Sequence, residues 1–392
     1  MADAIGLSSK AAFRKDPGEN ATSPTGLKSY PHTPGGTDLG ANDMIPFTNE
    51  SLSEINEYSM DPALDGSHSA PPGEIILTNC SGTIGGHLRY CGWERPFLCA
   101  MGFEYSHSTN GSPKSLGSGA YAHLFEMDDL LQDLAYTAGE RETYHANDIK
   151  ARRGQIGLAK QVEDWVFSSC IFNSFKITGN PREITTEFGV IPYSLVRGSY
   201  NSGSWTAASG TATEALFKQC EIKLARRADT PGSMTTIAAS GFEITGDGGM
   251  KGDDVTSESA PNIIIPVREN PFDVQLKIER PRFATAYDDQ LITYIQGDTE
   301  FSAIITITGA LIGGAYSYKY KLCFPSLKAT SPIAVNIDGP GPLSHEWTFR
   351  AFRPLTTDPF AATEYESISL IKDSPFVMMI YNNENVNYLT EL

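Results

Sequence analysis

Cysteine and long apolar runs are both scarce in this sequence. The six cysteines, at positions 80, 91, 99, 170, 220 and 323, form no CxxC pair, so we expect reduced, buried thiols rather than a disulfide framework. The longest aliphatic run, IIIPV at 263–267, is far too short to cross a bilayer. The N-terminus has no apolar core of a signal peptide. We therefore expect a soluble protein made in the cytoplasm, without membrane insertion.

The spacings of familiar catalytic sites are missing as well. The sequence contains no GxSxG, HExxH, Walker A or GxGxxG pattern, and no two of its seven histidines are three or four residues apart. The Gly- and Asp-rich stretch at 245–259 lacks the spacing of an EF-hand and is predicted to be a surface loop. We expect no enzyme, and we nominate no catalytic residue, metal ligand or cofactor.

Positive charge is in deficit. Charged residues make up only 20% of the chain, and the net charge is −17. A general nucleic-acid-binding module needs a basic face that displaces counterions, so this balance argues against one. Two readings stay open: the acidic groups keep the protein soluble, or they line a surface on which nucleic acid must not be held.

What the sequence has in abundance is turn residues between short alternating stretches, with 36 Gly and 24 Pro. Such a chain is typical of a mainly β fold. In CIFNSFKITGNP (170–181), Phe175 and Ile177 alternate with Lys176 and Thr178. This pattern predicts a half-buried strand that ends at the Gly-Asn-Pro turn.

Two helices are expected beside the strands. Over Ala122–Gly139, apolar residues recur on one helical face, and Gly139 is placed to cap the C-terminus. A second, short helix is predicted at YDDQLITYIQG (287–297).

A second stretch, CFPSLKATSP (323–332), repeats much of the first. Phe172, Ser174, Lys176 and Thr178 match Phe324, Ser326, Lys328 and Thr330 at one constant offset of 152 residues. We interpret the match as an internal duplication, although half-buried strands also converge on the same alternation. The predicted units are an N-terminal polar arm (1–44), two tube-like β domains (45–228 and 229–356) and a C-terminal extension (357–392).

The order of these pieces resembles the tail tube proteins (major tail proteins) of long-tailed bacteriophages. Five stretches between residues 45 and 352 carry the resemblance: IPFTNESLSEI, SGTIGGHLRYCGWERPFLCAMGF, WVFSSCIFNSFKITG, FDVQLKIERPRFATAYDDQLITYIQGDTEFSAIITITG and YKLCFPSLKATSPIAVNIDGPGPLSHEWTFRAF. The sequence departs from the simplest members in its length and in the Ala122–Gly139 helix, and both features leave the ring stoichiometry open.

The resemblance implies a phage tail-tube fold: a β-sandwich or partly closed barrel with a flanking helix, and two related tube domains in one chain. It implies a structural virion protein, assembled in the bacterial host cytoplasm and located in the phage tail. The chain would polymerise as stacked rings into a hollow tube through which double-stranded DNA is ejected. Rings would hold three pseudo-hexameric chains or six chains. Further implied partners are the tape measure, tail terminator and distal tail proteins; no cofactor is implied.

Four polar strand positions are the candidates for facing the channel or a neighbouring subunit: Asn173, Lys176, Thr178 and Lys328. The alternative for each is an ordinary solvent-facing residue. The rival function is a β-sandwich decoration protein or adhesin that binds host-surface carbohydrate. For that role Trp205, in YNSGSWTAASG, is the aromatic residue expected to be exposed.

Overall fold

The fold was analysed in a computed structural model. It describes residues 9–15, 38–59, 74–105, 113–127, 153–160, 162–207, 213–229, 231–251, 267–268, 270–280, 286–330, 345–354, 358–360, 364–365, 374–386 and 388.

Strands dominate the described residues. The first twelve are β1 (Lys10–Lys15), β2 (Met44–Ile45), β3 (Asn49–Glu50), β4 (Ser53–Tyr58), β5 (Ile75–His87), β6 (Gly102–Tyr105), β7 (Lys114–Gly117), β8 (Ala120–Met127), β9 (Arg153–Ala159), β10 (Asp164–Gly179), β11 (Ile184–Ile191) and β12 (Ser194–Gly198). The next ten are β13 (Cys220–Arg226), β14 (Thr235–Thr236), β15 (Gly241–Asp247), β16 (Met250–Lys251), β17 (Val267–Arg268), β18 (Asp273–Arg280), β19 (Phe301–Gly313), β20 (Tyr316–Ala329), β21 (His345–Ala351) and β22 (Val377–Asn382). The helices are α1 (Glu94–Met101) and α2 (Ala286–Gln296). The expected mainly β class is confirmed.

All strands except β16 and β17 belong to one connected network. One row of neighbours within it runs β5–β11–β10–β15–β18–β21–β20–β19, and every pair along it is antiparallel. We call this row of eight strands the central sheet. It places strands from both predicted tube domains side by side.

Two long strands, β10 and β20, connect the central sheet to outer strands. β10 pairs with β9 as far as Ile171 and with β15 from Ser174 onward. β20 pairs with β22 as far as Cys323 and with β21 from Leu327 onward. The change of partner therefore comes at the same place in both copies of the repeated sequence, since Ile171 and Cys323 are 152 residues apart.

A ladder irregularity accompanies each change of partner. In β10 the register with β11 shifts between Phe172 and Ser174, which leaves Asn173 unpaired in that ladder. In β20 the shift falls between Phe324 and Leu327 and includes Pro325, which has no N–H to donate. Connectivity nevertheless differs. β10 keeps the strands that follow it, β11 and β12, along one side, whereas β20 keeps the preceding strand, β19.

The main hydrophobic core lies against one face of the central sheet. Aromatic rings fill much of it: Phe188 stacks on Trp93 with 5.6 Å between ring centroids and contacts Phe97 edge-on at 5.0 Å. Phe172 meets the same ring edge-on at 5.6 Å. The two sequence copies bury matching residues here, because Phe172 with Phe324, and Phe175 with Leu327, all belong to this core.

Helix α1 closes one end of the core. Seven of its eight residues are buried, and Phe97 contacts both Phe175 and Phe188. The helix ends at Gly102, whose φ of 98° is left-handed and whose N–H donates to the carbonyl of Leu98. A glycine is needed there because other residues adopt this backbone conformation only with strain.

The predicted helix over Ala122–Gly139 is wrong in its first part. Residues 122–127 belong to strand β8, which pairs with β6, β7 and β22, while residues 128–139 lie outside the described part of the chain. The periodicity misled because β8 is buried on both sides, with seven of its eight residues buried. A strand without a polar face lacks the alternation that separates it from a helix. The second predicted helix is confirmed as α2.

Two further strands lie in segments that sequence reasoning treated as peripheral. Within the N-terminal arm, β1 pairs with β9 along its whole length and places Phe13 in the core. Within the C-terminal extension, β22 lies between β8 and β20, with all six residues buried. The domain limits stay a prediction; the pairs β10–β15 and β13–β19 cross the predicted limit at residue 228.

Among the described residues, no helix combines the length and the apolar character that a membrane crossing requires.

Truncating Phe188 to Ala is expected to lower the free energy of unfolding by about 3–5 kcal/mol, because the ring is fully buried and its removal leaves a cavity between aromatic neighbours. Urea denaturation followed by fluorescence or circular dichroism measures the change. Leu311→Ala is the matched control, since that side chain is 67% exposed, and its loss should cost less than about 0.5 kcal/mol. Equal costs for the two variants would contradict the placement of the core.

Candidate functional site: a polar sheet face and an apolar hairpin

From β11 to β21, and at the end of β20, the face of the central sheet opposite the core is polar, whereas along β19 and most of β20 that face is buried against a second hydrophobic cluster that includes Ile304 and Cys323. Because side chains alternate along each strand, the neighbours of buried Phe175 and Ile177 point to the other side. There the register aligns Lys176 with Glu187 of β11 and with Thr245 of β15. Thr245 lies opposite Gln275, which lies opposite Arg350.

The same cross-strand row ends at the second candidate lysine. Arg350 of β21 pairs in register with Lys328 of β20. Lys176 and Lys328, which were nominated from the two sequence copies, therefore occupy one row that crosses β10, β15, β18, β21 and β20. Thr178 lies in the adjacent row, opposite Thr185 on one side and Glu243 on the other.

Each of the four cations described on this face has a carboxylate partner. Lys176 Nζ lies 2.7 Å from Glu243 Oε2, and Lys277 Nζ lies 2.8 Å from Glu346 Oε2. The Nε atom of Arg350 is 2.6 Å from Asp273 Oδ1, and Lys328 Nζ is 3.1 Å from Asp298 Oδ2. The hydrogen bond to Glu346 raises the pKa of Lys277 despite partial burial. The face thus presents neutralised pairs, with further carboxylates such as Glu187 and Asp247 among them.

Asn173 has a different role from the other three candidates. It lies at the irregularity of β10, where its side-chain Oδ1 accepts a hydrogen bond from the N–H of Met250 at 2.8 Å, and its carbonyl accepts one from Gly248. The asparagine therefore anchors the start of the Gly- and Asp-rich loop. It holds a turn in place instead of facing open solvent.

A second surface is formed by the two-stranded ribbon of β4 and the first half of β5, which we call the apolar hairpin. β5 pairs with β4 over Ile75–Ser81 and with β11 only from Gly82 onward. Its exposed apolar side chains are Ile55, Tyr58, Ile75 and Ile76, which retain 59%, 56%, 42% and 54% of their accessible surface. Burying such a group of side chains against a partner would be favourable.

Sequence reasoning missed the acidic partners and the hairpin. Glu243, Asp273 and Glu346 are each at least 60 positions from the cation that they pair with, so only the strand register could reveal the pairing. For the hairpin there was a usable signal. The EIILT run at 74–78 contains consecutive apolar residues near the start of a strand without the alternation of a half-buried one.

The tryptophans do not form an exposed aromatic surface in the described part of the chain. Trp205, expected to be exposed, is instead 1% exposed and packs with Ala12, Leu39 and Val166. Trp93 and Trp347 are also buried, and Trp165 is half-buried with Lys160 Nζ 4.0 Å above its ring. The loop around Trp205 is Gly- and Ser-rich, but the indole covers the small residue Gly157 of β9.

Within the described residues, no group of three or more His, Cys, Asp or Glu side chains is arranged to hold a metal ion.

A scan against protein-family models finds no matching family, and a search of curated proteins finds no relative.

Proposed function

We propose that this protein is a structural subunit that assembles with copies of itself into stacked rings, and that these form the hollow tail tube of a long-tailed bacteriophage. The observation that carries the proposal is the two-faced central sheet, with a core on one side and a wall of neutralised ion pairs on the other. The resemblance in the sequence supplies the tail-tube identity, and the sheet supplies a physical reason for it.

The polar face suits a channel wall past which DNA must slide. DNA is retained on a surface when lysines and arginines replace the counterions of its phosphates. On this face the four described cations already have carboxylate partners, so they have little to gain from a phosphate. The overall charge of −17 adds a repulsion that acts within about 8 Å at physiological salt.

The width of the sheet bears on ring stoichiometry. The six strands that carry the polar face, spaced by about 4.8 Å, span about 29 Å. Three such walls laid edge to edge would enclose a channel about 28 Å in diameter, and six would enclose one about 55 Å across. Three chains enclose a single duplex more closely, so we favour a ring of three chains.

The apolar hairpin supplies a surface for self-association. Ile55, Tyr58, Ile75 and Ile76 are costly to expose in a protein that stays monomeric. β4 is paired only with β5 among the described strands, so its outer edge carries backbone groups that another chain can pair. A second copy of the chain is therefore the partner proposed for the hairpin.

In this role the protein would be located in the tail of the virion after assembly in the host cytoplasm. It would contact the tape measure, tail terminator and distal tail proteins, and DNA would pass through it without specific binding. No catalysis or cofactor takes part. The carbohydrate-binding alternative relied on an exposed indole at Trp205, but Trp205 is buried.

The purified protein is expected to form hollow tubes at high concentration, and the double variant Ile55→Glu, Ile76→Glu is expected to remain unassembled. The two carboxylates would have to be desolvated against the partner, which costs several kcal/mol per contact. Negative-stain microscopy and sedimentation measure assembly, and circular dichroism confirms the fold.

Val162→Glu is the control for this test, because Val162 is 91% exposed in the turn between β9 and β10. It should assemble like the wild type. A wild-type chain that stays monomeric at high concentration would overturn the proposed function. If the double variant forms tubes as readily as the wild type, the hairpin is not the assembly contact, and the proposed function itself is not overturned. The channel diameter in the same images separates three chains from six.

Removing the carboxylates of the polar face is expected to create a surface that holds DNA. In the double variant Glu243→Gln, Glu346→Gln, Lys176 loses its partner and Lys277 keeps only Glu279, whose carboxylate is 3.8 Å away, so affinity for a short duplex should rise at least tenfold at about 50 mM salt. Fluorescence anisotropy with the unassembled subunit measures binding.

Glu163→Gln is the matched control, because Glu163 pairs with Arg197 away from the central sheet at 3.4 Å. It should leave DNA binding unchanged. Equal binding by the control and the double variant would contradict a special role for the polar face.

A further inference from the structure

A buried polar cluster ties the end of β22 and the residues after it to the rest of the fold. At its centre is His123 of β8, which is fully buried, as is Glu104 of β6. The Nδ1 atom of His123 lies 2.8 Å from Glu104 Oε1. On the other side of the ring, Nε2 lies 3.0 Å from Asn382 Oδ1 and 3.1 Å from the carbonyl oxygen of Glu384.

The orientation of Asn382 is fixed by its other contacts. Its Oδ1 accepts a hydrogen bond from the N–H of Glu384 at 3.0 Å, and its Nδ2 donates to Glu94 Oε1 at 3.1 Å. His123 Nε2 therefore faces two acceptors and must carry a hydrogen. Nδ1 faces a carboxylate, so a second proton lies between that nitrogen and Glu104. The contacts are satisfied together when the ring is an imidazolium.

The residues after β22 depend on this arrangement. Tyr388, which is buried, donates to Glu384 Oε2 at 2.7 Å, and its ring centroid lies 4.9 Å from that of His123. The Asn382 amide also reaches the Tyr388 hydroxyl, at 3.2 Å. The His123 ring thus contacts Asn382, Glu384 and Tyr388 together.

We propose that Asn382–Val386, together with Tyr388, is a proton-dependent latch, seated on His123 while the ring holds both protons and released when the ring loses one. A neutral ring must leave a bare nitrogen facing either the Glu104 carboxylate or the two oxygens of Asn382 and Glu384. Opposed acceptors in a buried site are costly because no water solvates them. Release relieves the conflict by admitting water. The latch does not depend on the proposed tail-tube role.

Two groups of the cluster, His123 and Glu94, have raised pKa values. Burial lowers the pKa of His123, but the hydrogen bond and charge of Glu104 outweigh burial and raise it. Burial and the charge of Glu384 raise the pKa of Glu94 to about 7. A histidine with a raised folded pKa stabilises fully below its unfolded value of about 6.5, and this contribution is lost as pH rises through the folded value. Ionisation of Glu94 raises the pKa of His123 further, so it moves the loss of the His123 proton to higher pH.

The other titratable and charged groups that face the cluster do not reverse this direction. Arg95 lies 5.8 Å from the centre of the Tyr388 ring and stays charged throughout. Burial raises the pKa values of the Tyr388 and Tyr320 hydroxyls and of the Cys91 thiol, so these groups stay neutral while the cluster titrates.

Hydrogen exchange followed by mass spectrometry tests the latch between about pH 6 and about pH 9.5. After correction for the intrinsic exchange rate, protection of Asn382–Val386 should fall by up to about tenfold for each pH unit between the unfolded pKa of about 6.5 and the raised folded pKa of His123, and should level off above the folded value. Protection of β10 should stay unchanged. In Glu104→Gln the carboxamide can donate to neutral Nδ1, so the segment should stay protected across the range.

His87→Gln is the control, because His87 faces Glu183 at 3.3 Å in a solvent-exposed pair, and it should behave like the wild type. Constant protection of wild-type Asn382–Val386 across the range would overturn the latch, as would an equal loss in Glu104→Gln. If Glu104→Gln does not fold, ¹⁵N-histidine spectra of the wild type decide. A loss of protection without deprotonation of a buried imidazolium in the same pH range would also overturn it.

Discussion

The structure depends on the two-residue alternation of the central sheet. Phe175 and Ile177 face the core while Lys176 and Thr178 face away, and the antiparallel register carries the division from strand to strand. A register slip of one residue in β15 or β18 would bury Glu243 or Lys277 and expose Ile244 or Leu276. The core and the polar face are thus two consequences of one arrangement, and neither can change without the other.

The long strands β10 and β20 each belong to the central sheet and also pair with an outer strand. Each is paired to an outer strand along its first half and to a central-sheet strand along its second half. The irregularity between the halves needs residues that tolerate a broken ladder. Asn173 compensates by holding the loop at 248–250, and Pro325 has no N–H to leave unsatisfied. The sequence repeat therefore coincides with a structural requirement, whether or not it records a duplication.

Sequence patterns predicted the elements with one polar and one apolar face and failed for those without. The strand over Cys170–Gly179, its turn, and α2 follow directly from periodicity. Strands β8 and β22 are buried on both faces, so their hydrophobic runs resemble a helix or an unstructured extension. β1 is short and lies in a polar segment, so Phe13 alone marks it as core.

The candidate site was predictable to the same extent. Alternation identified Lys176, Thr178 and Lys328 as facing away from the core, and the register then placed both lysines in one row. No local pattern could show that Glu243 or Asp298 neutralises them, because each pair joins residues at least 30 positions apart. For Trp205, by contrast, a local pattern was present and gave the wrong prediction. Its Gly- and Ser-rich surroundings suggested exposure, but the ring packs against Gly157 of β9, where a larger residue would leave no room for it.

The buried cluster at His123 is costly for a fold that could fill the same volume with apolar side chains. A buried ion pair is weak support for stability, because desolvation offsets most of the attraction. The cluster provides hydrogen bonds of fixed geometry. Asn382 bonds to Glu94, His123 and Glu384, and Tyr388 bonds to Glu384, so each group holds its neighbour in one orientation. An apolar replacement would hold the end of β22 at every pH. A polar one makes its attachment conditional on a proton, and that conditionality is the property an apolar core cannot supply.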